Sequence, residues 1–338
     1  MKFKNKINLF VFSNNLYFIN SLIKNNENII GICCSKKTKS LFNIFKDLFK
    51  YFLIKINFFW KDCFELYKNP LINNNPIQKL ANKNNIILFN SKKIRSETFR
   101  QELIKANPDY IFVCGFGSLI PKNIINIKNK FIINFHPSLL PKHRGGTPNR
   151  WVIRNGETLT GVTAHFVDEK FDTGEIIMQK KFSIQKNCDY GQLQKLSDYH
   201  ISIMIKKLLI KLKSKKLISK KQNQKYSSYE KSFRSKDAII DWNLSSNEIK
   251  RICYSIKPLS GGITKIYNNK FCLWEVEEIK RKNNYEPGKI IQIDNLKNIL
   301  VGCGKNILKI KKFLYAGKAA ESKKIVNKFN IKKGMKFY

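Results

Sequence analysis

Short apolar runs alternate with helix-like patterns over the first 130 residues of the chain. The runs at 7–12, 29–34, 86–89, 110–114 and 131–135 have the length of buried strands. Between the first two runs, apolar residues recur at helical spacing, as at Leu16, Ile19 and Ile23. Strands that alternate with helices are typical of βαβ units. We therefore expect an α/β first domain with a Rossmann-like, mostly parallel sheet.

The pattern changes in the last third of the chain. A helix predicted over 189–212, with Asp189 as N-cap and Gln192 as its capping-box partner, is followed by a lysine-rich stretch. Beyond it, short apolar runs are separated by Asn, Gly and Asp turns, which predicts a small β-barrel-like domain of the OB type. The runs lie at 262–267, 270–278, 289–293, 299–301 and 307–310. The expected organisation is a catalytic domain over 1–212, a basic linker over 213–225 and a β-rich domain over 226–338.

Polar side chains that suggest chemistry follow the apolar run at 131–135. Asn134 and His136 stand two apart where this strand ends, so their side chains project from the same face. In open α/β sheets, ligands bind outside the carboxyl ends of the strands. A further strand predicted over 161–167 leads to Asp172. We therefore expect an amide, an imidazole and a carboxylate around one crevice.

Four short motifs extend this pattern: NFHPSLLP at 134–141, Arg144-Gly145, TGVT at 160–163 and DTG at 172–174. Together they resemble the folate-dependent formyltransferase family. The resemblance implies that Asn134, His136 and Asp172 are the catalytic residues, that 10-formyltetrahydrofolate is the co-substrate and that no metal is required. It also implies a lining for the pterin and formyl end of the folate, made of Ser138, Leu139, Leu140 and Pro141.

The chemistry explains these residue types. Formyl transfer to an amine passes through a tetrahedral intermediate that carries an oxyanion, and one preorganised donor to it is worth roughly 3–4 kcal/mol. Asn134 can donate through its amide and His136 as an imidazolium. Asp172 is expected to orient the imidazole and to favour its charged form.

The motifs do not identify the molecule that accepts the formyl group. The β-rich domain resembles the carboxy-terminal domain of the tRNA-acting members, which implies the amino group of initiator methionyl-tRNA. An amino sugar on a nucleotide carrier is the alternative acceptor. It is favoured by His136-Pro137, by the run at 147–150 and by the long hydrophobic insert that includes residues 41–60. A non-catalytic RNA-binding protein, a formate-releasing hydrolase and a metal site of His136, His143 and His165 are further alternatives. The intact catalytic trio argues against the first, and no metal-ligand spacing supports the last.

The basic composition is compatible with an RNA partner but does not require one. The net charge is +40, but 56 of the 64 basic residues are Lys, a bias that drift in an A/T-rich genome also produces. A basic surface raises non-specific affinity for nucleic acid. Ser13-Asn14-Asn15 replaces the glycine-rich turn of dinucleotide-binding folds, which argues against such a cofactor.

The sequence predicts a cytoplasmic protein without a membrane span. The first apolar run is short and lacks a cleavage site, as a buried strand would. The hydrophobic stretch at 41–60 is interrupted by charges and is expected to form an amphipathic helix that packs on its own domain, with a partner or membrane-surface helix as the alternative. The eight cysteines form no CxxC pair, so we expect them to be reduced and structural.

Overall fold

The computed structural model describes residues 6–34, 76–129, 131–281 and 285–338, and the stretch expected as a helix at 41–60 lies outside them. Contacts divide the chain into two interleaved compact units. The first comprises Met1–His136, Thr163–Met178 and Ile201–Gln222, and the second comprises Pro137–Val162, Gln179–His200 and Asn223–Tyr338. The expected boundaries of catalytic domain, linker and β-rich domain stay predictions.

A seven-stranded sheet forms the first part of the fold. Its strands are β1 (Asn8–Ser13), β2 (Asn28–Cys34), β3 (Ile87–Asn90), β4 (Tyr110–Cys114), β5 (Phe131–His136), β7 (Leu159–Phe166) and β8 (Ile176–Ser183). The order is β3-β2-β1-β4-β5-β7-β8, the first five are parallel, and β7 runs antiparallel to β5. All five strands predicted before residue 136 are present, with ends shifted by at most one residue.

Helices alternate with the strands of this sheet, and the helix that the apolar spacing predicts between the first two strands is present as the first of them. They are α1 (Leu16–Lys24), α2 (Pro76–Lys83), α3 (Glu97–Ala106) and α4 (Lys122–Ile125). Phe10 and Phe12 of β1 share one face of the strand, where their rings pack against each other and against Phe99 of α3. Ser96 caps α3 by accepting from the backbone N–H of Phe99. The cluster buries one face of the parallel strands.

The second sheet is antiparallel and curls into a half-barrel. Its strands are β10 (Gly262–Ile266), β11 (Asn269–Ile279), β12 (Ile290–Ile293), β13 (Ile299–Gly302), β14 (Ile307–Tyr315) and β15 (Lys318–Glu321). The order is β10-β11-β14-β13-β12, and β15 also pairs with β14. Trp242 stacks on Phe337 in its core and donates from Nε1 to Thr264 at 3.0 Å. The predicted fold class, a mostly parallel α/β sheet followed by a small β-barrel-like domain, is confirmed.

The remaining elements are α5 (Pro148–Asn155), α6 (Tyr190–Lys213), α7 (Ser246–Tyr254), α8 (Ser322–Phe329) and the short pair β6 (Arg144–Gly145) and β9 (Tyr229–Glu230). The capping box predicted for α6 is present. The backbone N–H of Asp189 donates to Gln192 at 3.0 Å, and the N–H of Gln192 donates to the Asp189 carboxylate at 2.9 Å. No helix in the described ranges is long and apolar enough to cross a membrane.

Two details bear on the sequence-based expectations. Residues of the lysine-rich stretch make specific contacts, since Lys220 exchanges two backbone hydrogen bonds with Ile176 of β8 at 2.8 and 2.9 Å. Burial raises the pKa of Cys33, Cys253 and Cys303 to about 12, so these three cysteines are protonated at neutral pH. Protonated, buried thiols are poor nucleophiles, as expected for structural cysteines.

Candidate active site

Asn134 and His136 lie at the carboxyl end of β5, on one side of the strand because they are two residues apart. Strand β5 pairs with β4 on one edge and with β7 on the other, which fixes its position. The imidazole of His136 is buried, and Asn134 is half-buried. The sheet therefore holds both side chains rigidly at the edge where ligands of α/β folds bind.

Asp172 lies in the loop between β7 and β8, and this loop is tied down on both sides. The side-chain amide of Gln222 donates to the backbone carbonyls of Asp172 at 2.9 Å and of Gly174 at 2.7 Å. A Cβ atom at Gly174 would collide with the backbone carbonyl of Phe166, so only glycine allows this close approach. Asp172 itself has a φ of +54°, a left-handed conformation that aspartate tolerates better than most residues.

The three predicted catalytic residues meet at this point. Asn134 Nδ2 donates to Asp172 Oδ1 at 3.1 Å. The other carboxylate oxygen, Oδ2, lies 3.6 Å from His136 Nδ1, which is an ion-pair distance rather than a direct hydrogen bond. The carboxylate of Asp172 thus bridges the amide and the imidazole. Their catalytic roles stay predictions.

His165 joins this group, although no motif of the sequence predicts its contact with Asn134 and Asp172. It lies directly opposite Asn134 in the antiparallel pairing of β7 with β5. Its Nε2 is 3.1 Å from Asn134 Nδ2 and 3.4 Å from Asp172 Oδ1, and its Nδ1 is 2.7 Å from the backbone carbonyl of Phe166. The pairing register that brings His165 here cannot be read from the sequence.

A small pocket of about 80 Å³ opens beside these residues. Asn134, His165 and Asp172 form its polar wall, while residues 118–120 and Phe171 line other sides. A water molecule occupies about 30 Å³ in the liquid, so the pocket has room for a group of formyl size. Within this wall the side-chain amide of Asn134 can donate a hydrogen bond to a carbonyl group that gains negative charge during a reaction.

The four residues expected to line the folate are part of the second unit. The hydroxyl of Ser138 is fully buried and donates to the backbone carbonyl of Lys142 at 2.8 Å. The side chain of Leu140 is buried, and its carbonyl accepts from Gln179 Nε2 at 2.8 Å. Leu139 is half-buried, as is Pro141, which follows a cis peptide bond. Their contact with folate stays a prediction.

His143 has a structural environment of its own. Its Nε2 lies 2.7 Å from Glu157 and its Nδ1 2.8 Å from Glu230, so both ring nitrogens face carboxylates. Burial lowers the pKa of His143, but the hydrogen bonds and charges of the two glutamates outweigh burial and raise the pKa above its ordinary value. Within the part of the chain that the structure describes, no cluster of three or more His, Cys, Asp or Glu could hold a metal ion.

Comparison with known proteins places the chain in a family. A model of the "Formyl transferase" family matches residues 64–208, and one described as "Formyl transferase, C-terminal domain" matches residues 233–330. A methionyl-tRNA formyltransferase of Clostridium tetani (strain Massachusetts / E88) is 32% identical over 245 residues, which cover 72% of this chain and 78% of that protein.

Two solved structures share the fold at low identity. HypX from Aquifex aeolicus in complex with tetrahydrofolic acid has a TM-score of 0.61 at 12% identity over 99% of this chain, which spans about half (51%) of HypX. WlaRD, a sugar 3N-formyl transferase in the presence of dTDP and 5-N-formyl-THF, has a TM-score of 0.60 at 19% identity, with 91% of this chain and 98% of WlaRD covered.

The two matched models and the α/β sheet with its half-barrel define an enzyme that transfers one-carbon groups. The chain belongs to the folate-dependent formyl transferase family, as its motifs predict.

Proposed function

We propose that this chain transfers the formyl group of 10-formyltetrahydrofolate to the amino group of initiator methionyl-tRNA, a step that prepares this tRNA for translation initiation. The observation that carries the proposal is the group formed by Asn134, His136 and Asp172. Two of these side chains line a pocket of formyl size, and the third faces the shared carboxylate. No step of this reaction needs a metal.

Asn134 is the donor to the oxyanion that forms when the amino nitrogen attacks the formyl carbon. Its Nδ2 has two acceptors, Asp172 Oδ1 and His165 Nε2, each at 3.1 Å, and these acceptors are 3.4 Å apart. The angle between them at Nδ2 is roughly 65°, whereas the two N–H bonds of an amide diverge by roughly 120°. We place one N–H between both acceptors, which leaves the other N–H to donate to the oxyanion, where it is worth roughly 3–4 kcal/mol.

His136 carries the proton that the reaction moves. The acceptor nitrogen loses a proton as the new C–N bond forms, and N10 of the folate gains one as its bond to the formyl carbon breaks. The carboxylate of Asp172, 3.6 Å from His136 Nδ1, favours the protonated ring and orients it. His136 passes the proton between the two nitrogens directly or through a water.

The folate is expected against the 138–141 loop. Because the hydroxyl of Ser138 is bonded to Lys142, the loop offers the side chain of Leu139 and its backbone groups to the pterin and formyl end. HypX was solved in complex with tetrahydrofolic acid and WlaRD in the presence of 5-N-formyl-THF, which supports a folate donor on this fold. A crystal structure with bound tetrahydrofolate checks the contact, and folate bound without touching residues 138–141 would exclude it.

Three observations support the tRNA as acceptor. The relative at 32% identity is named a methionyl-tRNA formyltransferase, and the family model of the carboxy-terminal domain also matches this chain. The net charge of +40 suits a polyanionic substrate. The sugar 3N-formyl transferase neighbour has the same fold, so an amino sugar on a nucleotide carrier is the competing acceptor for the same chemistry.

The deciding experiment offers both acceptors to the intact protein. Folate labelled in its formyl group is mixed with charged initiator tRNA and a set of amino-sugar nucleotides, and uncharged tRNA serves as the control without an amino acceptor. We expect label only in the charged tRNA. The affinity for tRNA should fall with salt at a log–log slope near −0.9 per neutralised phosphate. Label in a sugar nucleotide alone would replace the tRNA as acceptor.

A further inference from the structure

His165 contacts two of the candidate catalytic side chains, and neither the motifs nor the family resemblance gives it a role. We infer that His165 is a positioning residue, whose neutral ring holds the side-chain amide of Asn134 in the orientation that presents one N–H to the reacting formyl group. This inference rests on the proposed function, because it assumes that Asn134 is the oxyanion donor.

The tautomer of a neutral His165 ring follows from its neighbours. Nδ1 is 2.7 Å from the backbone carbonyl of Phe166, and a carbonyl can only accept, so Nδ1 carries a hydrogen. In the neutral ring, Nε2 is then an acceptor. It accepts from Asn134 Nδ2 at 3.1 Å. The hydrogen bond to Phe166 thus sets the tautomer that lets His165 bind the amide.

Two acceptors, Asp172 Oδ1 and His165 Nε2, fix the orientation of the Asn134 amide. A single acceptor would leave the amide free to rotate. Asp172 alone selects the amide end, because a flipped Asn134 would turn its oxygen toward the carboxylate. A single hydrogen bond does not fix rotation of the amide about the Cβ–Cγ bond. The second acceptor, Nε2 of His165, confines the shared N–H between two points 3.4 Å apart and thereby sets the direction of the other N–H.

The surroundings of His165 support a precise role rather than mere filling of space. Its side chain is 2% exposed, and β7 holds it opposite Asn134 in the sheet. Two ionisable groups lie beside it: Asp172, whose Oδ1 is 3.4 Å from Nε2, and His136, whose ring centroid is 6.4 Å from that of His165. A rigid strand with a fixed tautomer can place an acceptor within the few tenths of an ångström that catalysis requires.

Two amide variants distinguish the contribution of Nε2 of His165 to activity from that of Nδ1. In His165→Gln the side-chain oxygen reaches the position of Nε2 and keeps an acceptor for Asn134. In His165→Asn the shorter amide reaches the position of Nδ1 and keeps a donor for Phe166, but it offers nothing to Asn134. We expect His165→Gln to retain kcat within about threefold and His165→Asn to lose about 10- to 100-fold, the cost of a misplaced catalytic group. KM should change less than threefold in both, since His165 acts on the transition state.

A double-variant cycle tests whether the effect passes through Asn134. Asn134→Ala should lower kcat strongly, and adding His165→Asn to it should cost less than twofold more, because the group that His165 positions is already gone. Thermal unfolding of all variants verifies that they are folded. Formyl transfer by the unchanged protein in the same assay tests the proposed function separately.

Some outcomes would overturn the inference while the unchanged protein stays active. Equal kcat losses in His165→Gln and His165→Asn would show that Nε2 is not the group that matters. Full activity in His165→Asn would show that no positioning is needed. An additive loss in the double variant would show that His165 acts by a route other than Asn134.

Discussion

Replacing Asp172 by asparagine removes one charge from the candidate active site with almost no change in shape. In the present structure one carboxylate oxygen accepts from Asn134 at 3.1 Å, and the other lies 3.6 Å from His136 Nδ1. An asparagine has a single oxygen for these two positions. If its oxygen faces Asn134, its NH₂ group faces His136, where it opposes a protonated ring instead of stabilising it.

The attraction between the Asp172 carboxylate and the protonated His136 ring sets the size of the effect. Two unit charges 3.6 Å apart interact by about 4–5 kcal/mol at the effective dielectric constant of roughly 20 that suits protein sites. In the proposed mechanism the imidazolium of His136 forms as the reaction proceeds, so this energy is lost from the transition state rather than from substrate binding. At 1.36 kcal/mol per decade, Asp172→Asn should lower kcat by about three decades and leave KM nearly unchanged.

The assay is single-turnover transfer of labelled formyl to charged initiator tRNA at saturating protein. Glu169→Gln is the matched control, because it removes the same charge from the same loop at a side chain that is 47% exposed and paired with Lys122. A surface pair of this kind contributes at most about 1 kcal/mol, so the control should stay within twofold. Turnover of Asp172→Asn within tenfold of the unchanged protein would refute the assigned mechanism.

Two further predictions concern side chains that stabilise the structure: Gln222, which binds the loop of Asp172, and His143, which pairs with two glutamates. Gln222→Ala should lower kcat about tenfold by loosening Asp172, and it should cost about 1–3 kcal/mol of unfolding free energy because two carbonyls lose their donor. His143→Gln should cost about 1.5–3 kcal/mol at acidic pH, measured by urea unfolding. Because Glu157 and Glu230 raise the pKa of His143, its contribution is complete below its unfolded pKa and is lost as the pH rises through the folded pKa. A destabilisation by His143→Gln that grows with pH would contradict this assignment.

The part of the site that lies on one strand could be predicted from the sequence. The two-residue period of a strand puts Asn134 and His136 on one side, and the prolines that follow mark where β5 ends. The capping box of Asp189 and Gln192 was equally local, because both partners lie within one helical turn. Short-range geometry of this kind depends on backbone periods that every chain shares.

The contacts between distant segments could not be predicted. His165 reaches Asn134 only because β7 pairs antiparallel with β5 in one register, and a shift by one residue would turn the imidazole to the other face. Gln222 lies in a stretch whose charge predicted a solvated linker, yet its amide binds the loop of Asp172 some 50 residues earlier. Strand β8 was not predicted either, and its burial pattern shows mostly half-buried positions without a clear apolar alternation.

The interleaving of the two compact units has a consequence for how the protein is made. The first unit is complete once residue 222 has been synthesised, whereas Pro137–Val162 and Gln179–His200 belong to a unit that ends only at residue 338. At roughly 5–20 residues per second, the ribosome needs on the order of ten seconds to deliver the missing part. Asn134, His136 and Asp172 all belong to the first unit, so the segments that carry them are synthesised before the second unit is complete. During that interval, apolar side chains such as Val152 and Leu193, buried together in the finished protein, are exposed to the chaperones of the cell.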